Sequence, residues 1–435
     1  MAAILPFRGL RYNTTADLDL AMVTAPPYDC ISPEQQADLH DAHPYNVVRL
    51  ILGRTRKTDT DRDNQYIRAA TSLREWTDSN VLIRERHPAL YLYEQEFTAN
   101  GHTAVRRGFI ARVALEEFGA GSIHPHEQTF PGPLADRLRL TQETRCNLSQ
   151  VMALYPDEKN EVMAVFDRFP VSPADLRVVD NSGIVNRMWI VTDESAAGEI
   201  AELMNRRPLI IADGHHRYTT ALAYRRYLQE QGENVSNHHP ANYTSVMCIS
   251  MSDPGLTVLA THRVLDGAPQ TSAEEIHKLL KTHFSWKQFS GAEATSGRMI
   301  EHLARTRGVA FGVYLRGDQA GYVATLANGR IMAELAPDHS PEWRKLDVAV
   351  LHRLVLGKLL TGAFGEPEKL AVRYVAGAEK AFDAVHEQGA ALAFLLKPTP
   401  VAQVQTIAAS GELLPQKSTY FYPKLLTGLV MNPLD

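Results

Sequence analysis

The sequence predicts a mixed α/β (α+β) fold, and three observations support this class. First, 44% of the 435 residues are hydrophobic and 22% are charged, a composition typical of folded globular proteins. Second, short apolar runs of strand length alternate with segments of helical character. Third, Asn-Gly and Asp-Pro-Gly sequences separate several of these runs, as expected for hairpin turns. A chain of this length should form two or three packed units.

We predict an N-terminal α+β part over residues 1–118. Ser32 and Gln35 have the spacing of a capping box, so a helix should begin there. The apolar run over residues 47–52 is typical of a buried strand. Two strand-like runs flank Asn100-Gly101, a sequence that favours a hairpin.

We predict a central part over residues 119–268. Its beginning, up to about residue 150, is rich in glycine, proline and polar residues, which indicates a long loop. The strand-like run at 208–212 enters Asp213-Gly214 and is followed by a helical segment, so we predict a strand, a tight turn and a helix. Further along, Asp253-Pro254-Gly255 favours a hairpin.

We predict a C-terminal α+β part over the remaining residues, 269–435. Ser272 and Glu275 form a second capping-box pattern. Asn328-Gly329 favours a second hairpin in this part. A helix should begin at Thr399-Pro400 and end before Gly411.

The charge balance and the missing motifs exclude several classes of protein. Lys and Arg total 45 against 50 Asp and Glu, so no basic surface for nucleic acid or for a membrane is indicated. The three cysteines form no CxxC spacing, and no run of ~18 apolar residues indicates a membrane span. P-loop, GxGxxG, HExxH and GxSxG patterns are also missing. We therefore expect a cytoplasmic protein without nucleic-acid or membrane partners.

The turn at Gly214 has the features of an anion site. Glycine allows a ligand to approach the main chain, and the start of the following helix offers N–H groups and partial positive charge. His215, His216 and Arg217 lie in that first turn, where a positive charge is disfavoured by about 0.3–1 kcal/mol. A bound phosphate would reverse this penalty. Alternatively, Arg217 pairs with a nearby carboxylate and the histidines are structural.

A second candidate site is the segment from Ile123 to Thr129, which contains His124, His126 and Glu127. These side chains could bind a divalent metal or provide a general base and the group that orients it. His-x-His also occurs in ordinary loops, so the pattern alone leaves both interpretations open.

Three further segments contain polar groups that could serve a functional site, but each also has a purely structural interpretation. Residues 25–29 form a rigid turn, for which a simple strand-to-helix connection is the favoured interpretation. Thr261-His262-Arg263 ends a strand, where side chains often face a ligand cleft, although a lone His-Arg is more often a surface pair. Residues 416–420 place Lys417 beside Ser418 and Thr419, a group that could hold a phosphate or form a solvated loop.

Five segments of the chain resemble the family catalogued as domain of unknown function 1015. They are Pro26-Pro27-Tyr28-Asp29, Asn46-Val47-Val48-Arg49-Leu50, His124-Pro125-His126-Glu127, Ala212-Asp213-Gly214-His215-His216-Arg217 and Pro415-Gln416-Lys417-Ser418-Thr419. They occur in the family's order and span nearly the whole chain. The family name implies no activity.

More remotely, the turn at residues 213–217 resembles the phosphate-binding turn of the ParB/sulfiredoxin-like superfamily. In that group a Gly-x-x-Arg turn opens a helix and cradles nucleotide phosphates, which implies a nucleotide-binding unit in the central part of this chain. Sulfiredoxins have a catalytic cysteine where this chain has His215, and no helix-turn-helix of the ParB type is indicated. The free serine kinases, which transfer a phosphoryl group to serine with a carboxylate as base, are the nearest analogue.

The resemblance and the residues together lead to one main hypothesis, a nucleotide-dependent phosphotransferase acting on a small hydroxylated metabolite such as serine. ATP or ADP with Mg²⁺ would be the cofactor, and a homodimer is left open. The phosphates would be bound by Gly214, His215, His216, Arg217, Lys417 and Ser418. Asp213 or Glu127 would bind Mg²⁺, and Glu127, assisted by His126, would accept the hydroxyl proton.

Two other functions compete with this one. A metal-dependent hydrolase would use His124, His126 and one of His215 or His216 as ligands. A non-catalytic sensor would bind a nucleotide or metabolite without turnover.

Overall fold

The structure is a computed structural model that describes residues 3–15, 17–99, 101–129, 131–169, 173–266, 272–361 and 371–435. The chain divides into two compact units. Unit 1 comprises Met1–Leu256 together with Pro423–Asp435, and unit 2 comprises Thr257–Tyr422. Unit 1 is therefore built from two stretches of sequence that are separated by the whole of unit 2.

Both units combine strands and helices, which confirms the mixed α/β class. The strands are β1 Ile4–Leu5, β2 Leu10–Tyr12, β3 Leu82–Arg84, β4 Leu90–Ala99, β5 His102–Ala114, β6 Ile123–His124, β7 Cys146–Asn147, β8 Val151–Tyr155, β9 Leu176–Val179, β10 Val185–Val191, β11 Leu209–Asp213, β12 Tyr243–Ser250, β13 Thr257–Leu259, β14 Thr261–Asp266, β15 Phe284–Phe289, β16 Ala310–Leu315, β17 Gly321–Leu326, β18 Ala371–Ala376, β19 Leu392–Leu395, β20 Tyr420–Tyr422 and β21 Asn432–Pro433.

The helices are distributed over both units. The α-helices are α1 Leu20–Val23, α2 Pro33–Ala42, α3 Val48–Ile51, α4 Gln65–Asp78, α5 Pro131–Thr144, α6 Glu161–Phe166, α7 Glu194–Met204, α8 His215–Glu230, α9 Ala273–Leu280, α10 Ser296–Arg305, α11 Ile331–Leu335, α12 Asp347–Val350, α13 Ala378–His386 and α14 Val401–Ala409. A π-helix spans Leu351–Leu359, and 3₁₀-helices span Tyr28–Cys30, Pro240–Asn242, Gly291–Glu293 and Trp343–Lys345. Within the described ranges, no helix combines the length and the apolar character needed to cross a membrane.

A nine-stranded mixed sheet organises unit 1. Its order is β6-β11-β8-β12-β5-β4-β10-β9, and β1 pairs with the far end of β5. The β6–β11 and β8–β12 pairs are parallel, and the other pairs are antiparallel. Side chains from this sheet and from α6, α7 and α8 share one buried hydrophobic cluster, so α8 is fixed by apolar packing behind the turn that opens it.

Unit 2 is built on an antiparallel sheet of six strands, in the order β15-β17-β16-β19-β14-β18. Buried side chains of this sheet form one cluster with α10 and α13. A separate two-stranded pair, β13 with β20, belongs to the same unit.

Several local predictions are confirmed. Ser32 and Ser272 accept from the backbone N–H three residues on, and the side chains of Gln35 and Glu275 bond back to the capping serines. Both capping boxes therefore open helices as predicted, at α2 and α9. The β4–β5 hairpin is present, although Asn100 itself lies outside the described residues.

Two predicted elements are wrong in type. Residues 47–52 contain helix α3 instead of a strand, because the buried Asn46 accepts from the N–H of Val48 at 2.9 Å and starts a helical turn. A short apolar run cannot distinguish a buried strand from a buried helix. The predicted loop up to residue 150 contains helix α5, which begins at Pro131, a position where proline is tolerated because no intrahelical donor is needed.

Both further hairpin predictions are wrong as well. β12 belongs to the large sheet of unit 1, whereas β13 pairs with β20. Strands β16 and β17 do form a hairpin, but residues 316–320 connect them, and Asn328-Gly329 precedes α11. The chain does turn at both positions, but a turn alone does not determine whether the strands before and after it pair with each other.

The two units also differ from the three predicted parts. Residue 118 separates no units, because β5 before it pairs with β12 after it in one sheet. The predicted limit at 268 lies close to the start of unit 2 at Thr257, and residues 423–435 return to unit 1.

Candidate functional site

The predicted strand–turn–helix is present in unit 1. Strand β11 ends at Asp213, Gly214 has a φ of 84°, and α8 begins at His215. This left-handed backbone conformation is readily adopted by glycine and disfavoured for other residues. A Cβ atom at Gly214 would also lie 2.8 Å from Nε of Arg217, so the turn requires glycine for both conformation and space.

The start of α8 has the properties of an anion-binding terminus. The N–H of Tyr218 bonds to the carbonyl of Gly214 at 3.0 Å and closes the first turn. The N–H groups that precede it have no acceptor within the helix. They also lie at the positive end of the helix dipole. This arrangement suits a phosphate or a carboxylate.

Two cations flank the carboxylate of Asp213. Arg217 Nη2 lies 2.7 Å from Oδ2, and Lys424 Nζ lies 2.8 Å from Oδ1. Burial alone would raise the pKa of Asp213, but Lys424 and Arg217 hold it well below its ordinary value. Burial alone would lower the pKa of Lys424, but Asp213 raises it above its ordinary value. Asp213 and Lys424 are therefore both charged at neutral pH.

Arg217 has structural contacts beyond this ion pair. Its Nη1 donates to the carbonyl of Gln150. It lines a small cavity of about 50 Å³ together with Tyr28 and Arg137. The guanidinium of Arg137 lies 4.1 Å from the ring centroid of Tyr28, within the range of a cation–π contact. The ion pair between Arg217 and Asp213 is the alternative predicted for Arg217, namely pairing with a nearby carboxylate.

The histidine segment meets the turn in space. Strand β6 pairs in parallel with β11, so the segments that follow the two strands lie at the same edge of the sheet. The N–H of His126 donates to Nε2 of His215 at 3.2 Å, and the two rings are 4.6 Å apart between centroids. Residues distant in sequence therefore lie in contact at this edge of the sheet.

Both of these imidazoles are held neutral. His126 contacts the carbonyl of Ile211 through Nδ1, and this nitrogen must carry the proton because a carbonyl only accepts. Burial lowers the pKa of His126. Burial, followed by the proximity of His126, lowers the pKa of His215 well below its ordinary value. Nε2 of His215 accepts, so its proton lies on Nδ1.

Glu127 follows directly after this histidine contact. Its Oε1 is buried and has no hydrogen-bond partner among the described residues. An unpartnered buried acceptor is unfavourable by about 1–3 kcal/mol, which makes such a group a candidate for contact with a ligand. Hydrogen bonding within the described part of the chain therefore does not account for the burial of this carboxylate oxygen.

The other predicted residues are distributed as follows. His124 lies on β6 opposite Ile210, and His216 lies in the first turn of α8. Lys417 and Ser418 belong to unit 2, where the hydroxyl of Ser418 donates to the carbonyl of Pro415. Across the described ranges, no group of three or more His, Cys, Asp or Glu side chains is arranged to hold a metal ion. The roles of these residues stay predictions.

Lys424 is the main residue that sequence reasoning missed. It lies in residues 423–435, which return to unit 1. The phosphate-binding signal was sought at Lys417 and Ser418, but Lys424 forms the ion pair with Asp213. A lone lysine after Tyr422-Pro423 offers no local pattern from which this role could have been found.

Comparisons with known proteins identify a family but no activity. The family model described as "Protein of unknown function (DUF1015)" matches residues 4–349, and a search of curated proteins finds no match. Free serine kinase in complex with AMP is 13% identical with a TM-score of 0.32, and the match covers 71% of this chain and 89% of that one. SbnI with a C-terminal truncation, from Staphylococcus aureus, is 12% identical with a TM-score of 0.36, covering 75% and 87%. Similarity of this size assigns no activity.

Proposed function

The chain belongs to the family described as "Protein of unknown function (DUF1015)", and from its site we propose that it is a nucleotide-dependent phosphotransferase acting on a small hydroxylated metabolite such as serine. The main support is the carboxylate of Glu127, whose buried Oε1 has no partner in the described part of the chain. This carboxylate follows the histidine contact that joins its segment to the opening of α8. A potential base and a potential phosphate site are therefore adjacent.

The proposed phosphate site consists of main-chain N–H groups and fixed positive charge. Gly214 leaves the main chain open to close approach, and the first turn of α8 supplies the N–H groups. Arg217 and Lys424 are two cations that hold the carboxylate of Asp213 beside this turn. Charge-assisted hydrogen bonds from such cations to phosphate oxygens would support a phosphate near the turn. In this proposal Arg217 also keeps the turn in place through Gln150.

Glu127 would act as the general base. The nucleotide supplies the phosphoryl group. Glu127 would accept the proton of the substrate hydroxyl while the oxygen bonds to phosphorus and the bridging oxygen of the nucleotide leaves with the bonding electrons. His126, held neutral against Ile211, would position the backbone of Glu127.

The two carboxylates differ in their fitness for Mg²⁺. Both oxygens of Asp213 already accept hydrogen bonds from cations, so this residue does not fit a metal ligand as it stands. Oε1 of Glu127 has no partner among the described residues, but coordination of Mg²⁺ would weaken this carboxylate as a base, so we assign Glu127 to proton transfer and not to the metal. Mg²⁺ commonly takes only one or two protein carboxylates and otherwise phosphate oxygens and water.

An ATP- and ADP-consumption screen over amino acids and hydroxy acids tests this function. We expect turnover with at least one hydroxylated substrate, and we expect Glu127→Gln to lower kcat by about 10²–10⁴-fold, the usual contribution of a general base. Nucleotide binding, measured by thermal shift, should persist in Glu127→Gln. Glu158→Gln, which changes an exposed carboxylate of the same unit, is the matched control.

Two outcomes would reject the phosphotransferase. One is a flat screen combined with no thermal shift by either nucleotide in a folded protein. The other is tight nucleotide binding without turnover, unchanged in Glu127→Gln, which would instead identify a non-catalytic nucleotide sensor.

A further inference from the structure

A cavity of about 420 Å³ lies at one edge of the six-stranded sheet in unit 2. Strands β14 and β16 begin at this edge and β19 ends there, because β19 is antiparallel to both neighbours. Sites for small molecules commonly measure about 300–1,000 Å³, so the cavity has the size for a small metabolite.

Most of the charged side chains that line this cavity are cationic. Arg263, Lys345 and Lys397 line it together with one carboxylate, Asp347. Nζ of Lys397 lies 3.4 Å from Oδ2 of Asp347 and donates to the carbonyl of Gly308 at 2.7 Å. Lys345 and Lys397 alone carry two positive charges against the single carboxylate of Asp347, so the cavity lining has an excess of positive charge that attracts anions.

A helix terminus adds to this positive potential. Helix α14 begins at Val401, and Thr399, Pro400 and Gln403 around its first turn line the cavity. The N–H of Gln403 already donates to the carbonyl of Pro400 at 2.9 Å. The N–H groups of Val401 and Ala402 are therefore the ones that have no acceptor within the helix, and they favour an anion. This helix terminus and the cations therefore favour the same kind of ligand.

Thr261 provides an independent indication of a ligand. The residue is 6% exposed and lines the cavity. Its Oγ1 is buried and has no hydrogen-bond partner in the part of the chain that the structure describes. A buried hydroxyl normally finds a partner, so this one is available to a bound molecule.

Arg263 is fixed in place rather than mobile. It is 1% exposed. Nη2 donates to the carbonyl of Gln416 at 2.9 Å, and Nε donates to Nε2 of His352 at 3.2 Å. The guanidinium also lies 4.9 Å from the ring centroid of Tyr374. Two segments singled out in the sequence, 261–263 and 416–420, therefore meet around this cavity.

We propose that this cavity binds a small metabolite through a carboxylate or phosphate group. Lys345 and Lys397 would neutralise the anionic group, the first turn of α14 would donate main-chain hydrogen bonds, and the hydroxyl of Thr261 would bond to one of its oxygens. This site lies within unit 2 and is independent of the phosphotransferase proposed for unit 1.

Titration calorimetry on the full chain tests the proposal, with inorganic phosphate and citrate as separate probes and chloride at equal ionic strength as reference. Thr261→Val removes only the unpartnered hydroxyl, and we expect it to weaken binding of the preferred probe by about fivefold or more. Lys345→Met should also weaken binding. Asp347→Asn should strengthen it, because it removes the negative charge while its amide oxygen can still accept from the N–H of Ala310.

The controls separate this cavity from the turn of unit 1. Phosphate bound at the turn would be insensitive to Thr261→Val and Asp347→Asn, and Lys281→Met changes an exposed lysine of unit 2 that does not line the cavity. A preference for phosphate or for citrate identifies the anionic group. The proposal is overturned if neither probe binds more tightly than chloride, or if all three cavity variants bind both probes like Lys281→Met.

Discussion

Nζ of Lys424 lies 2.8 Å from Oδ1 of Asp213, although 211 positions separate the two residues in sequence. Arg217 occupies the other carboxylate oxygen. The carboxylate of Asp213 therefore holds two cations next to the positive end of the helix dipole. The position of both cations depends on this one buried carboxylate.

Replacing Lys424 with methionine should destabilise unit 1. Asp213 would stay buried with one of its two partners lost, and breaking such a pair typically lowers the free energy of unfolding by about 3–5 kcal/mol. Urea denaturation measures the change. Lys159→Met, at an exposed position of the same unit, is the control. Equal midpoints for the two variants would show that the ion pair contributes nothing to stability.

Gly214→Ala should be more destabilising than Gly232→Ala. Both glycines flank α8 with positive φ, 84° and 81°, and the left-handed conformation costs about 1–2 kcal/mol for other residues. A Cβ at Gly232 meets no atom within 4 Å, whereas one at Gly214 meets the guanidinium of Arg217. Urea denaturation of both variants isolates this extra contact, and equal losses would mean that the guanidinium moves aside freely.

His215→Phe should separate the segment of Glu127 from the turn. The change removes the acceptor for the N–H of His126, and an unsatisfied buried donor costs about 1–3 kcal/mol. His215→Gln keeps an acceptor oxygen. We expect Gln to retain more stability than Phe in thermal denaturation. Any turnover found in the proposed assay should follow the same order, and the reverse order would contradict a positioning role.

The stability of unit 2 should fall in mild acid because of His262. Burial, with a smaller effect of Arg263, lowers the pKa of His262 from 6.5 to about 4. The unfolded chain therefore binds more protons than the folded one between these values, and stability decreases as the pH falls through this window. The slope from one such group is at most about 1.4 kcal/mol per pH unit.

His262→Asn tests this directly. Its amide oxygen can replace Nδ1 as acceptor for the N–H of Leu396, a contact of 3.1 Å, but it does not titrate. Urea denaturation from pH 7 to pH 4 should show a shallower loss of stability for the variant. His352, whose pKa burial lowers to about 3, contributes to both proteins equally. Parallel pH profiles would assign the effect to other groups.

The features that the sequence predicted well depend on short-range chemistry. Ser32 and Ser272 accept from a backbone group three residues away, and Gly214 determines the backbone of its own turn. Such contacts are readable because both partners lie within a few positions of each other. The proximity of Gly214 to a cation at Arg217 belongs to this class as well.

The features that the sequence could not predict depend on long-range contacts. The Lys424–Asp213 pair and the β13–β20 pair join distant segments, and no local propensity specifies such partners. The strand prediction for residues 47–52 was wrong for a different reason, because the hydrogen bond to the buried side chain of Asn46 overrides the strand preference of two valines. The contact between His126 and His215 depends on the pairing of β6 with β11. Because β6 has only two residues, its sequence gives little indication that it forms a strand.

The split composition of unit 1 limits how this protein can be divided or built. A fragment ending at Leu256 would lack Lys424, and it would lack the carbonyl of Pro423 that accepts from the fully buried guanidinium of Arg106. During synthesis the ribosome must therefore complete all of unit 2 before the charge set around Asp213 can assemble. Deletions in residues 423–435 should therefore disturb the interior of unit 1, because they remove partners of Asp213 and Arg106.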